Sequence, residues 1–111
     1  MASDIDRAAI FELHAHFCKT LSDANRLLII AELTKGERSV SQLVERLGLR
    51  QANVSKHLAV MRERGLVRSR REGPAVYYTL SDPRIFEAIK LLMQVQADQL
   101  ERQGSLTRIG R

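Results

Sequence analysis

Apolar residues recur every three or four positions through much of the chain, which is the periodicity of amphipathic helices. A first segment covers residues 5–20, and a second, "LSDANRLLIIAEL", ends before "TKGER" at 34–38. Ser22 is suited to cap the second helix, and Asp23 to stabilise its positive N-terminal end. The pattern therefore predicts two successive helices. The apolar positions of the first are Ile5, Ala9, Leu13 and Phe17.

Two further helical segments are separated by a short turn that contains glycine. Ser39 and Gln42 fit the capping box S-x-x-Q, and the short helix that they open ends at Gly48. The next helix begins near Gln51 and ends at Gly65. Such a pair is typical of the helix-turn-helix motif. The residues expected to bury one face of the second helix are Val54, Leu58 and Met61.

The periodicity then changes from helical to alternating. The segments "LVRSRRE" and "AVYYTL" flank Gly73 and Pro74, which predicts a β-hairpin with arginines on one arm. Asp82 and Pro83 suit the start of a last helix over residues 83–102. The predicted fold is mainly α with a small β-hairpin: a single domain over residues 1–103, followed by a flexible tail at 104–111.

The last predicted helix has apolar residues around nearly its whole circumference, more than a domain of this size can bury. The simplest partner for the remainder is a second copy of the chain, which predicts a homodimer. The apolar residues concerned are Ile85, Phe86, Ala88, Ile89, Leu91, Leu92, Met93, Val95 and Ala97.

Composition is that of a soluble globular protein, with 44% hydrophobic and 28% charged residues in 111. The longest apolar run, "LLIIA", is far shorter than the ~18 residues that a membrane span needs. The chain starts with acidic rather than basic residues, unlike a secretory signal. We therefore expect a cytoplasmic protein with no membrane partner. Cys18 is the only cysteine, which excludes an internal disulfide.

The net charge of +5 is concentrated in one fifth of the chain. This clustering is typical of a protein that binds a polyanion, although a solvated basic face is the simpler alternative. Between residues 50 and 72 two acids, Glu63 and Glu72, face seven cations: Arg50, Lys56, Arg62, Arg64, Arg68, Arg70 and Arg71.

Ser55, Lys56 and His57 are adjacent, which raises the question of a catalytic set. On a helix, consecutive side chains point about 100° apart, so these three do not face one another. A serine nucleophile needs a base within hydrogen-bond reach and a third group to orient that base. We therefore predict that the protein is not an enzyme.

The same rotation predicts a surface suited to nucleic acid. With Val54 and Leu58 buried, four polar residues occupy the exposed first turns of the helix: Gln51, Asn53, Ser55 and Lys56. Gln and Asn pair with adenine, and Ser and Lys contact bases or phosphate. Arg68, Arg70 and Arg71 of the hairpin would follow the DNA backbone or a neighbouring minor groove. The alternative is a winged-helix module that docks an acidic protein.

The chain resembles the ArsR/SmtB family of bacterial winged-helix repressors over roughly residues 13–90. The resemblance lies in "LSDANRLLIIAEL", "S-x-H-L" at 55–58, "GLV" at 65–67, the arginine-rich wing and "YYTL". It implies a homodimer through the first and last helices that binds a palindromic operator and leaves it when an inducer binds. It also implies that His57 belongs to the DNA-reading helix, as packing support or as a phosphate contact. Arg50 stands where the family often has a capping serine, and we expect it to contact phosphate.

The sensor motifs common in the family are missing here. "SQLVERL" lacks the cysteine pair of thiol and metalloid sensors, and the last helix lacks the histidine of zinc sensors. His14 and Cys18, four residues apart in the first helix, could form half of a metal site, whereas His16 points elsewhere. Cys18 could also act as a redox switch. The alternative is a small buried cysteine with histidines that are solvated or hydrogen-bonded at the interface. The expected inducer is thus a metal ion or a thiol-reactive compound, if one exists.

Overall fold

The computed structural model describes residues 6–104, so Ile5 and residues 105–111 of the tail predicted at 104–111 lie outside the described residues. Contacts divide the chain into two compact units, with the boundary between Ser81 and Asp82. The elements are α1 (Arg7–Thr20), α2 (Ala24–Leu33), β1 (Arg38–Ser39), α3 (Val40–Leu47), α4 (Gln51–Glu63), β2 (Val67–Glu72), β3 (Ala75–Leu80) and α5 (Arg84–Arg102).

The N-terminal cap of α2 is Asp23, so the prediction of Ser22 is wrong. Asp23 Oδ1 accepts hydrogen bonds from the backbone N–H groups of Asn25, at 2.8 Å, and Arg26, at 3.1 Å. The bond from the Arg26 N–H lowers the pKa of the Asp23 carboxyl. Ser22 instead donates its hydroxyl hydrogen to the carbonyl of Lys19, at 2.7 Å, and closes the end of α1. The two neighbours thus serve different helices.

The helix-turn-helix motif is confirmed in α3 and α4. Both bonds of the capping box are present, with Ser39 N–H donating to Gln42 Oε1 at 2.9 Å and Gln42 N–H donating to Ser39 Oγ at 3.2 Å. Gly48 ends α3 in the left-handed region at φ 67°. Beyond α4, the N–H of Leu66 donates to the carbonyl of Met61 at 2.8 Å, the bond that defines a Schellman ending.

The predicted hairpin is part of a three-stranded antiparallel sheet, in the order β1-β3-β2. Arg70 of β2 pairs with Tyr77 of β3, and Arg38 of β1 pairs with Tyr78. Strand β1 was not predicted because two residues are too few to show an alternating pattern. Strand β1 places the turn that precedes it beside the wing, which is the hairpin of β2 and β3.

The core of the first unit lies beneath α4. The predicted face of that helix, Val54, Leu58 and Met61, is completely buried. Other side chains with no exposed surface are Ile29, Ile30, Leu43 and Leu66. Ion pairs also hold α2 in place. Glu32, only 6% exposed, forms them with Lys35, Arg38 and Arg46 at 3.2–3.5 Å.

In the second unit, α5 begins at Arg84, one residue later than predicted. Asp82 Oδ1 accepts the N–H of Arg84 at 2.9 Å. Ile89 is buried, whereas Leu91 and Leu92 are 70% and 65% exposed and Met93 and Val95 are also exposed. The expected surplus of apolar surface on this helix is therefore present. Within residues 6–104, no helix is both long and apolar enough to cross a membrane.

Candidate nucleic-acid interface

The exposed face of α4 carries the side chains that the sequence analysis selected. Gln51, Asn53, Ser55 and Lys56 are all exposed, and Val54 between them is completely buried. Arg50 occupies the N-cap position, and its side chain makes no capping hydrogen bond. The first turn of α4 therefore presents backbone N–H groups beside exposed polar and basic side chains, an arrangement that favours phosphate.

His57 lies on a different side of α4, against the start of α2. Its Nδ1 accepts a hydrogen bond from Arg26 Nε at 3.1 Å, and its Nε2 lies 3.8 Å from Asp23 Oδ1. Arg26 Nη1 also donates to the carbonyl of Thr20 at 3.1 Å. Only 13% of the His57 side chain is exposed. Of the two expected roles of His57, the geometry supports packing of the helix.

The wing arginines differ in their surroundings. Arg68 and Arg71 are exposed, and within the described part of the chain neither forms an ion pair. Arg70 is held by Glu37 and Glu72, and its guanidinium lies 4.9 Å from the centre of the Tyr77 ring. Hydrogen bonds with these two carboxylates raise the pKa of Arg70. A DNA contact by Arg70 stays a prediction, and it would require exchange of carboxylate for phosphate.

The candidate sensor pair in α1 is brought together. Cys18 Sγ lies 3.4 Å from His14 Nε2, and both residues are exposed. The Cys18 thiol is therefore exposed in the single chain. Among residues 6–104 there is no group of three or more potential metal ligands. His14 and Cys18 thus form at most half of a metal site.

Sequence reasoning named His57 and Arg70 but missed their partners, Arg26 and Glu37. Arg26 and His57 are 31 positions apart, and Glu37 and Arg70 are 33 apart. No motif links either pair. The only signal was the position of Glu37 beside a basic segment, and it does not identify a partner.

An exposed polar helix in a helix-turn-helix, beside a basic hairpin, defines a winged helix-turn-helix DNA-binding protein. The sequence pattern described as "Bacterial regulatory protein, arsR family" matches residues 23–69. The chain belongs to this family and is a DNA-binding transcriptional regulator.

Three similar proteins illustrate the family. The probable mercury resistance operon repressor of Streptomyces lividans is 34% identical over 95 residues, covering 86% of this chain and 76% of the relative. The transcriptional activator HlyU of Vibrio cholerae is 41% identical over 83 residues, covering 73% of this chain and 77% of HlyU. The homodimeric winged helix-turn-helix DNA-binding domain Mb0332 of Mycobacterium bovis has a TM-score of 0.76 at 32% identity and covers 92% of this chain and 95% of its own. These names describe regulators of transcription rather than enzymes.

Proposed function

We propose that the protein is a cytoplasmic, homodimeric repressor that occupies an inverted-repeat operator and is released by a chemical signal. The observation that carries the proposal is the division of α4 into a fully buried apolar face and an exposed polar face. Gln51 and Asn53 read base edges in the major groove, where amide side chains suit adenine. Ser55 and Lys56 contact bases or phosphate, and Arg50 contacts phosphate at the start of the helix.

The wing adds contacts that do not depend on sequence. Arg68 and Arg71 are exposed and have no carboxylate partner within residues 6–104, so they are free to neutralise phosphates. Each phosphate neutralised releases counterions, which makes binding sensitive to salt. Arg70 also contacts phosphate once its ion pair with Glu37 is broken.

Exposed apolar side chains on α1 and on α5 support dimerisation. In α1, Phe11 and Leu13 are 62% and 70% exposed. In α5, the exposed residues include Leu91 and Leu92. Burying such surface is favourable at about 25 cal/mol per Å², and the Mb0332 domain is described as homodimeric. A twofold dimer would place its two α4 helices ~34 Å apart, one turn of B-DNA.

The signal that we propose is a metal ion or a thiol-reactive compound acting at His14 and Cys18. The pair offers one nitrogen and one exposed sulfur 3.4 Å apart. Thiolates bind soft metal ions, and the Streptomyces lividans relative is named for mercury resistance. Further ligands would come from the partner protomer. Operator release should be measured with metals, oxidants and persulfides on the native protein and on Cys18→Ser. Equal release from both proteins would remove Cys18 from sensing.

A mobility-shift assay with the DNA upstream of the gene tests the central proposal. A specific regulator should bind this DNA about a thousandfold or more tightly than a scrambled duplex at physiological salt. Disrupting one half of the inverted repeat should abolish the preference. A module that docks an acidic protein would give no shift, and sequence-independent binding would contradict a specific repressor.

A further inference from the structure

An open cleft of about 290 Å³ lies within the first unit, away from the reading face of α4. It lies where the C-terminal ends of α1 and α4 approach the start of α2. No carboxylate of residues 6–104 lines it. The lining residues are His16, Lys19, Thr20, Arg26, Val60 and Arg64.

The charge of this cleft is not balanced by its surroundings. Lys19, Arg26 and Arg64 carry three positive charges. The C-terminal ends of two helices supply about one negative charge together, since each amounts to about half an elementary charge. Asp23, whose carboxylate interacts with Arg26, offsets another. About one positive charge therefore remains after the two helix ends and Asp23 are counted against it.

The positive charge that remains unbalanced belongs to Lys19 and Arg64. In the described part of the chain neither side chain forms an ion pair. Glu63, the neighbour of Arg64, lines a separate cleft with Arg62. Arg26 uses Nε and Nη1 for its bonds to His57 and Thr20, and a guanidinium has further N–H donors. Three cationic side chains, each from the end of a different helix, therefore line the cleft and offer N–H donors to a ligand.

We propose that this cleft binds a small molecule that carries a phosphate group. Phosphate accepts several charge-assisted hydrogen bonds at once, which suits arginine and lysine together. The volume is near the lower limit of small-molecule pockets, so it admits a phosphate with a short organic group rather than a large cofactor. His16 at the rim adds a further donor.

A ligand bound in the cleft would affect the DNA-reading helix α4 through Arg26. The same guanidinium that lines the cleft donates to His57 of α4 at 3.1 Å. An anion that draws Arg26 into the cleft weakens this bond, and the support of α4 against α2 weakens with it. The ligand and the operator then oppose each other reciprocally. This step rests on the proposed DNA-binding function, whereas the cleft itself does not.

Binding is tested first on the full-length protein without DNA. Inorganic phosphate is titrated at constant ionic strength while amide shifts are recorded by nitrogen–proton correlation NMR. We expect saturable shifts in residues 16–20 and 60–64. The double variant Lys19→Gln/Arg64→Gln should bind at least about tenfold more weakly, since it loses two charged donors. Arg62→Gln is the matched control on the same helix and should bind as the native protein does. Shifts that do not saturate, or an equal loss in Arg62→Gln, would overturn the site.

Operator-binding assays show whether the cleft binds a free phosphate ligand or a phosphate of the DNA backbone. Phosphate at constant ionic strength should weaken operator binding by the native protein but not by the double variant. If the double variant loses affinity for cognate and random DNA equally and the native protein does not bind free phosphate, the cleft is a backbone contact and the proposal is wrong. Phosphate binding without any effect on operator affinity would overturn the link through Arg26. If the native protein binds no operator, the proposed function fails, and the NMR titration still decides the cleft.

Discussion

Glu37 binds Arg70 through both of its carboxylate oxygens, which lie 2.6 Å from Nε and 2.7 Å from Nη2. The bond joins the turn before β1 to the wing. It also lowers the pKa of the Glu37 carboxyl, because a hydrogen-bonded cation stabilises the ionised form. The wing therefore holds one of its arginines against the protein before DNA is present.

Replacing Glu37 with Gln should raise affinity for all DNA. Arg70 would no longer have to exchange this carboxylate for phosphate, and a half-exposed ion pair of this kind opposes the exchange by a factor of about two to five. The salt dependence of binding should stay about the same, because Arg70 neutralises one phosphate in both complexes. Fluorescence anisotropy at several salt concentrations measures both. Glu45→Gln, on the exposed side of α3, is the control for charge alone. Weaker binding by Glu37→Gln with an intact wing would contradict this account.

Gln51 and Arg68 should separate base reading from backbone binding. Gln51→Ala should cost about 1–3 kcal/mol on the cognate operator and little on random DNA, because it removes a base contact. Arg68→Ala should weaken both duplexes equally and reduce the salt slope by about one unit. Paired titrations on cognate and random DNA give both numbers. If both variants lost affinity equally on both duplexes, the reading face would be misassigned.

Glu32 should contribute to stability through its three cationic partners. Burial raises the pKa of its carboxyl, but hydrogen bonds from Lys35 and Arg38 outweigh burial and lower it. Glu32→Gln should reduce the free energy of unfolding by about 1–3 kcal/mol, since buried cationic hydrogen bonds lose their acceptor charge. Because the folded pKa is lowered, this contribution is present above the ordinary pKa of 4.5 and is lost as the pH falls through the lower folded value.

Denaturant titrations at pH 7 and pH 3 test this prediction for Glu32. The difference between the native protein and Glu32→Gln should shrink at the lower pH. Glu45→Gln should change stability by no more than about 0.5 kcal/mol, as expected for an exposed site. A difference that persists unchanged at pH 3 would show that the charge of Glu32 is not responsible.

Leu92→Glu should convert the dimer into monomers. Leu92 is 65% exposed on α5 in the single chain, and a charge at a buried apolar interface is strongly unfavourable. Sedimentation should show the 12.6 kDa monomer, and operator affinity should fall because two half-sites are no longer bound together. Glu101→Gln, exposed on the opposite side of α5 from Leu92, should leave the mass and the affinity unchanged. An unchanged mass for Leu92→Glu would place the interface elsewhere.

The helices and their ends were largely predictable because the signals are local. Gly48 and the Ser39–Gln42 box act within one turn of their own helix, and the buried face of α4 follows from its spacing. The choice between Ser22 and Asp23 was not predictable, since either side chain can cap. It depends on which residue adopts the extended backbone, and that residue is Asp23, at φ −136° and ψ 126°.

The exposed face of the candidate site was predictable, but its support was not. Exposure of Gln51 and Lys56 follows once Val54 is buried. The Arg26–His57 and Glu37–Arg70 contacts join residues more than thirty positions apart, so they depend on how the elements pack. Two arginines two positions apart on the same strand therefore differ in their surroundings: Arg68 is open to solvent, whereas Arg70 is already bound.

Helix α4 begins at Arg50 without a side-chain acceptor. The N–H groups of its first turn must then be satisfied from outside, by water in the free protein and, in the proposed complex, by a phosphate oxygen of DNA. Part of the stability of this helix is therefore gained only on binding. A serine at this position would complete the helix internally, so the free protein would become more stable and its gain on meeting the operator would shrink. In the proposed complex, a phosphate of the DNA takes the place of the missing N-terminal cap of α4.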